Sequence, residues 1–231
     1  MKQIKTINFI VGSSGSGKDE VLKILTNKIK HSIFVKSYTT RLPRENEANG
    51  EHYYFVNNKT FDEIKPELME STVIEGIYYG HTSSTITYGI SGHLNHFFLI
   101  IEPNGIYQIL KWFKENPTGK DLSITYDIQF RIIHVKTKKS IRLKRLPSSV
   151  NKNLEYEDDF KHCDKIIKRI QRDDDNIDSI LDYHMDNTYM ELEPYLKYTP
   201  VENNDTIMTL TTKYLSEIIE KASDVDYYNI P

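Results

Sequence analysis

Cysteine and long apolar runs are both scarce in this sequence. Cys163 is the single cysteine among 231 residues, so the chain can form no internal disulfide bond and no cysteine metal cluster. No apolar run approaches the roughly 20 residues that span a bilayer, and no secretory-signal pattern precedes the first predicted strand. We therefore expect a soluble protein of a reducing, cytoplasmic compartment.

Net charge is also small. The chain carries 30 Lys and Arg residues against 33 Asp and Glu residues, a formal charge of −3. This balance argues against a general affinity for nucleic acid or membrane surfaces, so any positive charge that matters for binding must be local. A chain of this length fits one α/β domain with insertions or two small domains, and it contains no internal repeat or low-complexity linker.

A glycine-rich loop joins the first predicted strand, residues 4–11, to a predicted helix from residue 18 to about 30. The loop and the helix start contain Gly12, Ser13, Ser14, Gly15, Ser16, Gly17, Lys18 and Asp19. In this context the backbone N–H groups and the positive helix end bind phosphate, and Lys18 adds a mobile charge for the β- and γ-phosphates. The pattern predicts an ATP-binding loop. A plain Gly/Ser turn before an ordinary helix is the alternative.

The last position of this loop is unusual. A serine or threonine hydroxyl normally meets Mg²⁺ there, whereas this chain has Asp19. Carboxylates are good ligands for hard cations, so we expect Asp19 to serve Mg²⁺ directly or through water.

Two arginines lie three residues apart after a short predicted strand, residues 32–37. Arg41 and Arg44 flank Pro43, which restrains the backbone so that both guanidinium groups can bind one phosphate. Tyr53, beyond a predicted glycine turn, can add a hydroxyl donor. The segment predicts a second anion site, and a solvated arginine pair is the alternative.

The same segment resembles the signature of the guanylate kinases, S-x-T-T-R-x-P-R-x-x-E-x-x-G-x-x-Y-x-F, and has every fixed position of it between residues 37 and 55. Residues 78–80 resemble the family's Y-Y-G, and residues 97–105 resemble its strand ending in D-x-D-x-Q-G. The similarity covers about residues 4 to 110 well and the rest more loosely. It implies a three-layer α/β P-loop NTPase fold with a parallel central sheet, an inserted monophosphate-binding subdomain and a helical lid.

The resemblance also implies a single domain with three parts. The core would comprise residues 1–36, 90–140 and 165–221, the insertion residues 37–89, and the lid about residues 141–169. Within the core we expect a helix after Gly105, a turn at Gly119, a strand at 130–135, the last core strand with its turn at 198–205, and a closing helix at 209–221.

Acceptor-binding residues follow from the resemblance. It assigns the acceptor phosphate to Arg41, Arg44, Tyr53 and Tyr79. It assigns the guanine edge to Ser37 and Glu70, since a carboxylate accepts hydrogen bonds from N1–H and N2–H₂ and a hydroxyl can donate to O6. Adenine lacks that donor pair, which would leave a buried carboxylate unpaired. The alternative for Glu70 is an exposed charge at a helix end.

Three positions depart from the family pattern. His81 stands where the family has Ser or Thr, so one base or hydroxyl contact is altered. Ile100 replaces the first acid of D-x-D, and Glu102 keeps the second with one more methylene. The acid lost at Ile100 and the acid gained at Asp19 together would keep the acidity around Mg²⁺.

Lid arginines would close over the phosphates and offset the charge that develops during transfer. A helix entering the lid is expected at residues 140–146 and its exit at 166–170. The candidates are Arg145 and Arg169, with Arg142 and Arg172 behind them. Ser149 falls where the family has a further arginine, and Lys152 is its replacement candidate.

The activity implied is transfer of the γ-phosphate of ATP to GMP or dGMP, with Mg²⁺ and with small nucleotides as the partners. Lys18, Arg41, Arg145 and Arg169 would be the catalytic cations. A G-K-D loop ending resembles that of some viral deoxynucleotide kinases, which adds weight to dGMP. Two alternatives stay open. One is a kinase of this fold with another deoxynucleotide or a sugar phosphate as acceptor, and the other is a non-catalytic binding module.

Overall fold

The structure, a computed structural model, describes residues 2–145 and 197–202. Its strands are β1 (Ile4–Val11), β2 (Ser32–Phe34), β3 (Tyr38–Thr39), β4 (Tyr54–Phe55), β5 (Leu68–Ile74), β6 (Ile77–Thr82), β7 (His96–Ile100), β8 (Asp127–Lys136) and β9 (Lys197–Glu202). Its helices are α1 (Lys18–Lys28), α2 (Asn58–Ile64), α3 (Ser84–Ser91), α4 (Pro103–Glu115), α5 (Pro117–Thr125) and α6 (Lys139–Arg145). A short 3₁₀ turn (Lys65–Glu67) precedes β5.

A parallel sheet of five strands, in the order β2-β7-β1-β8-β9, carries the site. The central strand β1 is buried along nearly its whole length, as expected for a parallel strand covered on both faces. Because the strands run in one direction, their carboxyl ends meet at one edge, where ligands bind in open α/β sheets. The glycine-rich loop follows β1 at that edge.

Helices cover both faces of this sheet. One face packs Ile7, Phe9 and Val11 of β1 against α3 and α4. The other packs Ile10 of β1 against Val21 and Leu25 of α1. The alternation of β1 residues between two apolar clusters therefore produces three layers, and the predicted α/β P-loop architecture is confirmed.

A second sheet of four strands, in the order β4-β3-β6-β5, is formed within residues 38–82. β3 pairs parallel with β4, whereas β3–β6 and β5–β6 are antiparallel. The edge strand β5 is attached to α4 through Gln108. Its amide oxygen accepts from Ser71 N and its amide nitrogen donates to Ser71 O, both at 3.0 Å. The proposed domain boundaries stay a prediction.

The sequence patterns located the strands of the first sheet and the helices α1, α4 and α6, with two corrections. The predicted strand at 32–37 ends at Phe34, because the chain then leaves the first sheet for β3 of the second. The predicted turn at Gly119 is wrong, because Gly119 lies inside α5. A Cβ on Gly119 would lie 2.8 Å from Phe113 Cα, so the glycine permits close contact between α4 and α5.

Some predictions concern residues outside the described ranges. These are most of the lid, its exit at 166–170 and the helix at 209–221. Within the part of the chain that the structure describes, none of the helices has the length and apolar character needed to cross a membrane.

Candidate active site

The glycine-rich loop curls around the first turn of α1. Gly17 has φ 91° and precedes α1 in the left-handed conformation. A Cβ on Gly12 would lie 2.5 Å from Val135 O, so the loop passes directly beside β8. Ser16 N donates to Ser13 O at 3.1 Å and tightens the turn. The loop thus has the strand–turn–helix geometry of a phosphate cradle.

Two cationic side chains contact this loop. Lys18 Nζ donates to Gly12 O at 2.6 Å and to Ser13 O at 3.2 Å. Arg145 of α6 donates from Nη1 to Gly15 O at 3.2 Å and to Ser16 O at 3.3 Å. Burial lowers the pKa of Arg145 below its ordinary value. The structure therefore brings together two of the predicted catalytic cations.

Arg41 binds a carboxylate with both arms of its guanidinium group. Nη1 and Nη2 donate to Glu47 Oε2 and Oε1, each at 2.8 Å. Burial by itself would lower the pKa of Arg41, but the hydrogen bonds and charge of Glu47 outweigh it and raise that pKa. Burial likewise would raise the pKa of Glu47, but the bonds from Arg41 and from Arg44 N lower it.

Arg44 reaches the same carboxylate. Its backbone N–H donates to Glu47 Oε2 at 2.8 Å, and its Nη1 lies 3.9 Å from Glu47 Oε1. The loop around Pro43 therefore brings Arg41 and Arg44 to one carboxylate, and their binding of a shared phosphate stays a prediction.

Aromatic rings enclose the Arg41 guanidinium group. Its carbon lies 5.3 Å from the ring centroid of Tyr53 and 5.5 Å from that of Phe55. Tyr79 meets Tyr53 edge-on at 6.3 Å. Burial raises the pKa of Tyr53 to about 12, and the Asp19 carboxylate contributes in the same direction. Tyr53 is thus a neutral hydroxyl donor within electrostatic reach of Asp19, at the start of α1.

Glu70 and His81 form a buried pair on neighbouring strands of the second sheet. They stand opposite each other on β5 and β6, and His81 Nδ1 lies 2.6 Å from Glu70 Oε1. Glu70 is 3% exposed and His81 2%. The alternative of an exposed helix-end charge at Glu70 is therefore wrong. Ser37, the other predicted base reader, is also buried.

The positions that depart from the family pattern occupy different settings. Ile100 ends β7 and packs against an apolar cluster, so it offers no ligand. Glu102 is the N-cap of α4, and its carbonyl accepts from Gly105 N at 2.9 Å. Asp19 is exposed in the first turn of α1. The suggested exchange of an acid between positions 100 and 19 stays a prediction.

A comparison with models of known protein families identifies the family of this chain. The family model described as guanylate kinase matches residues 4–199. The chain belongs to the guanylate kinase family. This confirms the resemblance found in the segment 37–55 and extends it beyond residue 110.

Curated guanylate kinases show how far the similarity reaches. One from Prochlorococcus marinus is 36% identical over 118 residues, which cover 50% of this chain and 64% of the relative. One from Wolinella succinogenes is 42% identical over 77 residues, covering 32% and 36%. One from Prochlorococcus marinus subsp. pastoris is 31% identical over 169 residues, covering 69% and 88%. The first two alignments thus span less than two thirds of those guanylate kinases.

A solved guanylate kinase shares the fold. The crystal structure of guanylate kinase from Anaplasma phagocytophilum matches with a TM-score of 0.52 at 16% identity. The match covers 97% of this chain and 86% of that one. At this identity the similarity shows the guanylate kinase fold alone.

Sequence reasoning missed two contacts of the candidate site. Glu47 occupies the acidic position of the family segment but was given no role, and it joins Arg41 to Arg44. Gln108 carried no local signal, because its partner Ser71 lies 37 residues away. Four lid positions fall outside the described residues: Ser149, Lys152, Arg169 and Arg172.

Proposed function

We propose that this chain transfers the γ-phosphate of ATP to GMP or dGMP, giving ADP and GDP or dGDP. One observation carries the proposal. Two cation-bearing segments, the loop with Lys18 and Arg145 and the segment with Arg41 and Arg44, lie near each other, because the Asp19 carboxylate at the end of the loop is within electrostatic reach of Tyr53, which packs on Arg41. A phosphoryl group must pass between two such sites in a kinase of this class.

ATP would bind at residues 12–19. The backbone amides of the loop and the positive end of α1 would hold the β- and γ-phosphates, while Lys18 would exchange its loop carbonyls for phosphate oxygens. Arg145 is anchored on the same loop and would add charge beside the transferred group.

The acceptor nucleotide would bind at the second sheet and the arginine segment. Arg41, Arg44, Tyr53 and Tyr79 would hold its phosphate, and Ser37, Glu70, His81 and Glu102 would surround its base. Adenine would leave the Glu70 acceptor positions that His81 does not fill without donors, at a cost of about 1 to 3 kcal/mol or more, which disfavours AMP.

Mg²⁺ fits the donor set beside the loop. Among residues 2–145 and 197–202, no three His, Cys, Asp or Glu side chains form a metal-binding group. Mg²⁺ bound with a nucleotide needs only one or two carboxylates together with phosphate oxygens and water. Asp19 would supply that carboxylate, and the metal when bound would neutralise phosphate charge.

Catalysis would then consist of positioning and charge neutralisation, with no covalent intermediate. Lys18, Arg41 and Arg145 would hold the donor and acceptor phosphates in line, and Arg169 of the lid would complete the set. The lid would exclude water, since an open site hydrolyses ATP. We include a cytoplasmic location in the proposal, in keeping with small nucleotide substrates.

A coupled assay with ATP and five acceptors tests this function. We expect turnover with GMP and dGMP and little with AMP, dTMP or ribose phosphate. Lys18→Ala should abolish turnover while leaving GMP binding intact, as measured by calorimetry. No turnover by the wild-type protein with either guanine nucleotide would disprove the proposal.

A second candidate is a kinase of the same fold with a broader acceptor range. It is favoured by the three departures from the family pattern, at Asp19, His81 and Ile100. Turnover of dTMP or AMP at a rate comparable to GMP in the same assay would establish it.

A further inference from the structure

His81 contacts the carboxylate that the proposed function assigns to guanine recognition, and the inference drawn here rests on that function. This chain has histidine where the family pattern has Ser or Thr. The contact between His81 Nδ1 and Glu70 Oε1, at 2.6 Å, joins two directly opposed residues of an antiparallel strand pair. Such cross-strand pairs fix each other's side-chain orientation.

The chemistry of this contact assigns the proton on the imidazole. A carboxylate oxygen is an acceptor, so at 2.6 Å the facing Nδ1 carries the hydrogen and donates it. The second ring nitrogen, Nε2, is buried and has no hydrogen-bond partner within the described ranges. Nδ1 is therefore the atom through which His81 acts on Glu70.

The other contacts of Glu70 do not fix the orientation of its carboxylate, so His81 is the residue that does. Gly105 of α4 stands beside the second oxygen, since a Cβ there would lie 2.8 Å from Glu70 Oε2. Gln108 holds the backbone of the next residue, Ser71. The Gln108 hydrogen bonds fix the position of the backbone next to Glu70, and Gly105 lies against one side of the Glu70 carboxylate. On the other side, the His81 hydrogen bond is the one contact that holds Oε1 among residues 2–145 and 197–202.

We propose that His81 is a positioning residue that sets base selectivity by holding Glu70 through Nδ1. The carboxylate keeps Oε2 and the remaining lone pair of Oε1 for the N1–H and N2–H₂ donors of a guanine base. Without His81, Oε1 is buried and unpaired, so the carboxylate turns toward other donors and its two acceptors no longer match guanine.

Matched substitutions separate the two ring nitrogens. His81→Asn places an amide donor near the position of Nδ1, His81→Gln places one near Nε2, and His81→Ala removes both. We expect His81→Ala and His81→Gln to raise the KM for GMP about tenfold, with kcat changed less than about threefold, in the range of a lost hydrogen bond to a buried charged group. His81→Asn should keep the KM near the wild-type value.

The deciding measurement is base selectivity, the kcat/KM for GMP divided by the kcat/KM for IMP or for AMP. It is made on the full chain. The KM for ATP should stay constant and serves as the control. Selectivity that falls in the Ala and Gln variants and returns in the Asn variant supports the inference. Rescue by Gln rather than Asn, or unchanged selectivity in all three variants, overturns it. Thermal unfolding of each variant identifies any that fails to fold, and the remaining variants then decide.

The wild-type protein keeps this test separate from that of the proposed function. If wild type phosphorylates GMP but His81→Ala has the same base selectivity, the role of His81 is wrong and the kinase assignment stands. If wild type fails to phosphorylate any guanine nucleotide, the proposed function itself is wrong.

Discussion

Single residues set the shape of the phosphate cradle. A Cβ on Gly12 would lie 2.5 Å from Val135 O and 2.8 Å from Ser16 Oγ, and neither the strand backbone nor the buried loop can move far. We predict that Gly12→Ala destabilises the fold by about 1 to 3 kcal/mol through overpacking and abolishes ATP binding. Calorimetric ATP titration and thermal unfolding measure both effects.

Gly76→Ala is the matched control for Gly12. Gly76 also has a positive φ, +79°, but nothing lies within 4 Å of its added Cβ. The Gly76→Ala substitution should lower the free energy of unfolding only through backbone strain, by about 1 to 2 kcal/mol, and leave ATP binding unchanged. Equal loss of ATP binding in the two variants would contradict the close-approach argument.

Glu47 gives the protein a predictable response to acid. Its pKa is lowered from 4.5 in the folded state, so its contribution to stability is present above that value and is lost as pH falls below it. We predict that the free energy of unfolding of Glu47→Gln falls less steeply than that of wild type below about pH 4.5. Denaturant titrations at several pH values measure the two slopes.

Glu63→Gln serves as the control for the acid response. Glu63 is an exposed residue of α2, 4.0 Å from Lys59. An exposed pair of this kind contributes little to stability, so its removal should leave the acid slope as in wild type. The same slope in Glu47→Gln and wild type would show that the bonds between Glu47 and Arg41 do not perturb the carboxyl in solution.

At the scale of elements, the attachment of β5 to α4 decides where Glu70 stands. The Gln108 side-chain amide forms hydrogen bonds with both the N–H and the C=O of Ser71, as the backbone of a neighbouring strand would. We predict that Gln108→Leu destabilises the protein by about 1 to 3 kcal/mol by leaving these groups unpaired, and that it raises the KM for GMP without changing that for ATP.

Lys111→Gln, at an exposed position of the same helix, tests whether the effect is specific. It should change neither stability nor the KM for GMP by a measurable amount. If Gln108→Leu lowered stability but left the KM for GMP unchanged, the contact would be structural only.

At the scale of the whole molecule, occupancy of the acceptor site should appear as global stability. A ligand that binds only the folded state stabilises it by about 2.7 kcal/mol at 100 times its Kd. We predict that GMP at 100 times its Kd raises the free energy of unfolding of the wild-type protein by this amount. Arg44→Ala, which removes a side chain that is 47% exposed, should leave basal stability nearly unchanged.

The Arg44 variant should weaken GMP binding about tenfold, so the shift at the same GMP concentration falls by about 1.4 kcal/mol. Lys59→Ala, at an 87% exposed position outside the cleft, should keep the full shift. An unchanged shift in Arg44→Ala would remove Arg44 from the acceptor site.

The sequence by itself determined the parts of the protein that depend on neighbours in the chain. The loop at residues 12–19 was predictable because a strand, a glycine turn and a helix start are set by local backbone geometry. Arg41 and Arg44 were predictable as a pair for the same reason, since they lie three positions apart with Pro43 between them.

Tertiary structure decided the contacts between distant segments. The pairing of β5 with β6 placed His81 opposite Glu70, and the packing of α4 on β5 brought Gln108 to Ser71. Gly119 proved to serve a helix contact, although its residue type is also typical of turns. Strand register and helix packing depend on burial summed over many residues, so no local pattern reveals which buried polar groups become partners.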